Sequence, residues 1–198
     1  MRWATRELIH FDRIASAWLI LRFIDPAAIF SYLKEGESAA EDVLSFGVPG
    51  VQLAMHDGES TTFERIIKAY SISGDAIKAL SGIISDGVQH VMLDALRSDA
   101  SNRSPLAAGA LAFTEGVFVT STSDQECLQR CLPLYDALYA RLLAQSALDQ
   151  NVSFASQSVL KQTLAVASAI RELREQQSSF TQSAFAKALT AASAPKAR

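Results

Sequence analysis

The stretch "HFDRIASAWLILRFIDP", His10 to Pro26, decides how this chain begins to fold. Asp12 is a good helix N-cap, and Pro26 after Asp25 is a stop signal, so the stretch reads as one helix. Between the two ends nearly every position is apolar, from Ile14 through Trp18 to Ile24. A helix apolar on all sides belongs in an interior. Yet it carries Asp12, Arg13, Arg22 and Asp25, and buried charges need partners. At 100° per residue Arg22 and Asp25 share a face and can pair. Arg13 precedes Arg22 by nine residues, about half a revolution away and roughly 13 Å along the axis. Arg13 therefore needs a partner from another element, either backbone carbonyls, a carboxylate or a ligand.

Working outward, "RWATRE" (residues 2–7) and "AIFSYL" (28–33) alternate polar and apolar residues and read as strands flanking the helix. "KEGESAAEDVLSFG" (34–47) carries turn residues and a weak helical period. After the Pro49-Gly50 turn, Val51 to Met55 reads as a third strand, closed by Asp57-Gly58. Thr61 or Thr62 then caps a helix with Glu64 near its positive end. Helices are expected over 75–85, 105–114 and 124–147, with the polar stretch 85–104 as a loop. From Ser146 onward the chain is rich in Ala, Ser and Gln, and 158–175 and 179–192 can each form a helix. The expected fold is α+β: a small sheet from the N-terminal third, packed by a mostly helical remainder. Residues 1–145 form the domain and 146–198 a helical extension, which can pack on a second copy to make a homodimer.

The chain has 198 residues, 49% hydrophobic and 20% charged, which is globular composition. The apolar run after Asp12 is too short to span a bilayer and is broken by Arg22. With no signal-peptide pattern at the start, a cytoplasmic protein is expected. A net charge of −3 argues against an extended nucleic-acid surface. The two cysteines, Cys127 and Cys131, are four residues apart and share a helix face. That spacing suits a metal or redox pair, and equally two small core side chains.

Two further clusters could carry chemistry. In "MHDGESTTFER", His56 sits at an expected strand end before a helix N-terminus, where backbone N–H groups point outward. His56 could act as an acid–base residue or a metal ligand, with Glu64 nearby. Asp86, His90 and Asp94 lie at i, i+4, i+8, and Asp86 with His56 is the candidate metal pair. The cofactor is left undetermined, with a divalent metal open.

"WATRE", "DRIASAWLILRFIDP", "FGVPGVQLAMHDGESTTFE" and "AAGALAF…LPLYDALYARL" together resemble the C-terminal domain family of the chromate-resistance protein ChrB, in order from Trp3 to about Leu143. The most specific piece is the helix with its fixed charges. The resemblance implies a link to chromate resistance, and an oxyanion would suit Arg side chains and helix N-termini. Where many relatives carry Cys-Pro this chain has Ser16-Ala17, and it has Thr61 for another cysteine and Ser85 for a histidine. Thiol-based chromate chemistry is therefore not expected here. The longer relatives' N-terminal regulatory half has no counterpart, so direct DNA binding is not expected.

The leading expectation is a module that binds or senses a small anionic ligand through Arg6, Arg13, Arg22 and Asp12, with His56 as a further donor. The alternative is an enzyme on the same scaffold acting on a small organic substrate. In it His56 is the base or metal ligand, Glu64 or Asp86 its carboxylate partner, and Arg13 the substrate clamp. A scaffold whose charges are purely architectural is the third.

Overall fold

The computed structural model describes residues 1–55, 59–92, 104–150, 157–175, 187–188 and 190–191. Strand β1 (Arg2–Arg6) enters helix α1 (Phe11–Leu19), whose end continues as a wider π-turn over Ile20–Ile24. Strand β2 (Ile29–Leu33) returns beside β1 in parallel, from Arg2 opposite Ile29 to Arg6 opposite Leu33. Parallel neighbours cannot be joined by a tight hairpin, so the sequence between them must cross over, and α1 is that crossover. The two-residue strand β3 (Leu44–Ser45) lies parallel on the other side of β1, giving the order β2-β1-β3. The fold is α+β as expected.

Helices α2 (Thr62–Ala69), α3 (Asp75–Asp86), α4 (Pro105–Thr120), α5 (Asp124–Gln150) and α6 (Val159–Glu175) follow. The chain forms two compact units, Met1–Ser73 with Leu80–Tyr135, and Gly74–Ala79 with Asp136–Arg198. The first holds the sheet and α1. Every residue of α1 except Arg13 is buried, as is Ile20. The helix that reads as apolar on all sides is thus the core of this unit, and it rises to the surface only at Arg22 and Phe23. Trp18 packs against the ring of Tyr135, whose hydroxyl donates to the Phe11 carbonyl at 3.2 Å.

Three expectations are corrected. The third strand is Leu44–Ser45, not Val51–Met55, where Leu53 alone makes a single bridge to Phe46. The reason is Phe46, which is fully buried between the rings of Trp3 and Phe30 and pulls the residues before it against β1. The second correction concerns the end of the central helix. Asp25 N–H bonds to the carbonyl of Ile20, five residues back, at 2.8 Å, so a straight α-helix of 100° per residue applies only to Leu19. Asp25 itself accepts from the Trp3 indole at 3.2 Å, the Ala27 N–H at 3.2 Å and the Met1 ammonium at 2.5 Å. Third, the expected loop after Ser85 begins as helix: α3 runs on as a π-turn over Gly87–Met92. Residues 93–103 of that stretch lie outside the described residues.

Gly87 reads in the sequence as a helix breaker, but it is a close approach. A methyl group at Gly87 would lie 2.3 Å from the Phe11 ring, which is fully buried. Gly87→Ala should therefore destabilise by about 2 kcal/mol through overpacking, although alanine is the better helix former. Urea unfolding should show this loss, and Phe11→Leu in the same chain should recover part of it.

Cys127 and Cys131 are both buried, and their thiols hydrogen-bond to each other. Burial pushes both thiols up, Cys131 to about 12. They are small core side chains rather than a reactive pair.

Candidate functional site

The junction of β1 and α1 is held from two sides. Arg13 Nη1 donates to the carbonyls of Arg6 at 2.5 Å and Glu7 at 3.3 Å, and Nη2 to that of Leu8 at 2.7 Å. The carboxylate of Asp124, at the start of α5, accepts from Leu8 N–H at 3.0 Å and Ile9 N–H at 2.7 Å. Leu8 has a positive φ of 56°, a conformation that needs such support in a branched residue. The partner that Arg13 requires is thus the turn just before its own helix. The bonds named leave Nε–H and one Nη2 hydrogen of the five guanidinium hydrogens for a further acceptor.

Asp12, the residue beside it, is not the N-cap of its own helix as expected, a place His10 takes, and it works in the other direction. Its two oxygens accept from the N–H groups of Thr62, at 2.9 Å, and Phe63, at 3.1 Å. Thr61 Oγ1 accepts from Glu64 N–H at 3.1 Å, and the Glu64 carboxylate accepts from Thr61 N–H at 2.8 Å, a complete capping box. Arg65 N–H reaches the Thr61 carbonyl at 3.2 Å. All four leading N–H groups of α2 are therefore satisfied. In this arrangement Glu64 serves as part of a helix cap.

Arg6, Arg13, His10, Asp12, Gly47, Pro49 and Met55 line one pocket of about 300 Å³. Arg6 reaches it from the end of β1, its Nη1 also donating to the carbonyls of Lys34 and, at 2.9 Å, Glu37. Helix α1 opens at the pocket, where its N-cap residue His10 makes no side-chain cap bond. Gly47 has φ of 61°, and a methyl there would meet Arg13 Cγ at 2.7 Å and Cδ at 2.8 Å. The glycine is what lets the arginine stem lie flat under the pocket.

Of the residues expected at the site, the structure brings together Arg6, Arg13 and Asp12. Arg22 is exposed on the π-turn and does not line this pocket. Asp86 is half-buried near the end of α3. His56 and Asp94 lie outside the described residues, as does the side chain of His90. Among the described residues no three His, Cys, Asp or Glu side chains group as a metal site.

His10 was not singled out in the sequence, and it lines the pocket. It precedes Arg13 by three residues, the spacing that puts two side chains on one helix face, and that was the available signal. Its ring packs edge-on against Phe118 at 5.6 Å. Burial lowers its pKa from the ordinary value; Glu115 opposes this and Arg13 adds to it. With the folded value below the unfolded one, the native state prefers neutral imidazole. That contribution is fully present above the unfolded value near 6.5 and is lost as pH falls through the folded one. Stability curves from pH 8 to 5 should accordingly fall less steeply in His10→Gln than in the parent chain.

The match to the family model of the ChrB C-terminal domain covers residues 3–142. The chain belongs to the ChrB C-terminal domain family. A curated relative, Protein ChrB of Cupriavidus metallidurans, is 38% identical over 74 residues, which is 37% of this chain and 22% of that protein. The chain thus matches about a fifth of that ChrB's length. No solved structure matches. All seven pocket residues fall within the part matched to the ChrB family.

Ser16, one of the positions where this ChrB-family chain departs from the resemblance, has a fully buried hydroxyl with no partner among the described residues. A lone hydroxyl in a core is unfavourable, so Ser16→Ala should be stabilising by about 1 kcal/mol. A thermal melt of that variant shifted upward by a few degrees is the expected result.

No helix among the described residues is long and apolar enough to cross a membrane.

Proposed function

We propose that this ChrB-family protein binds a small anion in the pocket between β1 and α1, as a sensing or sequestering module. The observation that carries the reading is convergence. Arg6, Arg13 and the N-cap residue of α1, His10, all line one cavity of about 300 Å³ in a protein of net charge −3. Arg13 presents its remaining N–H groups from a stem fixed by Gly47 and by three carbonyls, so little ordering cost falls on binding. Asp12, also in the lining, has both carboxylate oxygens engaged by N–H groups of α2. The end of the family match at residue 142 supports treating 146–198 as an extension outside the binding domain.

Isothermal titration of the purified protein with chromate, sulfate, phosphate and acetate tests this. Saturable binding by at least one of them, weakened at least tenfold in Arg6→Gln, is expected. No heat from any of the four up to a millimolar overturns the proposal.

A further inference from the structure

Resting on that reading, we infer that the ligand class of this pocket is an organic carboxylate with an apolar body rather than a bare tetrahedral oxyanion. The argument starts from size. The cavity is about 300 Å³, the scale of a small organic ligand site. At ~30 Å³ per water, an oxyanion of five heavy atoms occupies roughly half of it. The rest of the space is left to other walls, and those walls are not cationic.

The same lining includes Gly47, Pro49 and Met55. Gly47 offers bare backbone over the Arg13 stem, Pro49 has no N–H to donate, and Met55 is a pliant thioether. Met55 is 43% exposed, so its thioether is open to a ligand. His10 adds a ring held edge-on to Phe118, and burial favours its neutral form. The lining therefore combines two arginines with surface that is mostly apolar. A ligand matched to both has its carboxylate on Arg13 and Arg6, and its body against Pro49 and Met55.

The test is a comparison of four probes on the full chain: sulfate, chromate, acetate and benzoate, by isothermal titration at one ionic strength. Benzoate should bind at least tenfold tighter than acetate and either inorganic ion. Removing about 55 Å² of its ring from water is enough for that factor. In Met55→Gln, a change at a partly exposed position, the ratio of benzoate to acetate affinity should collapse toward one. Sulfate or chromate binding as tightly as benzoate overturns this inference and leaves the anion-binding proposal standing. An unchanged ratio in Met55→Gln also overturns it. Binding by none of the four overturns both.

Discussion

Replacing Asp12 by alanine is expected to lower the stability of the protein by about 4 kcal/mol, the largest effect of any single truncation considered. Asp12 is 4% exposed, and its carboxylate accepts two buried N–H groups fifty residues away in sequence. Those are the first two donors of α2; the other two are met by Thr61. Alanine leaves both without an acceptor in a place water cannot reach, and also opens a void between α1 and α2. The loss exceeds that of an ordinary surface cap, about 1 kcal/mol, because two bonds to an ionised group disappear together. Asp12→Asn keeps one acceptor but turns an amide N–H toward a backbone N–H, so about half the loss should remain. Urea unfolding followed by the fluorescence of Trp3 and Trp18, both buried, reads this directly. A loss under 1 kcal/mol for alanine would show that Asp12 does not clasp the two helices.

The second large effect is expected at Gly47. Gly47→Ala should destabilise by about 3 kcal/mol, from a positive φ that costs ~1–2 kcal/mol in any residue with a Cβ and from collision with the Arg13 stem. It should also abolish anion binding, because the arginine can no longer lie in its place. The two consequences separate experimentally. Gly36, with φ of 82°, has open space around it, so Gly36→Ala carries the backbone penalty without the collision. Gly36→Ala should lose about 1 kcal/mol and retain full binding in the titration. If Gly47→Ala still binds as tightly as the parent, Arg13 is not the residue that holds the ligand.

The parts of this fold legible in the sequence are those whose cause is local. β1, β2 and α1 announce themselves by period and by Pro26, and Thr61 with Glu64 is a cap readable within four residues. β3 is not legible, since Leu44 and Ser45 are a strand only because Trp3 and Ala4 lie beside them. The charges of the opening helix divide the same way. Helix geometry alone shows that Arg13 has no partner on its own helix, and it finds one in the turn just before. Asp12 reads as the cap of its own helix and instead caps α2; nothing near it in sequence reveals that a helix fifty residues on lacks two acceptors. Half of the candidate site was legible for a related reason. Arg6, Arg13 and Asp12 stand out as charges in apolar company, whereas His10 sits before the helix and Gly47 looks like any loop glycine. What makes them matter is a cavity, and a cavity is a property of packing.

The turn between β1 and α1 has a consequence for the order in which the protein can be made. Its carbonyls are gathered by Arg13, a few residues on, but its N–H groups at Leu8 and Ile9 wait for Asp124, more than a hundred residues later. During synthesis the first strand and helix emerge early, yet the lip of the pocket cannot close until the start of α5 has left the ribosome. The pocket near the beginning of the chain is thus among the last features to be completed, and a truncated product ending before residue 124 would carry its arginines on an unfinished turn.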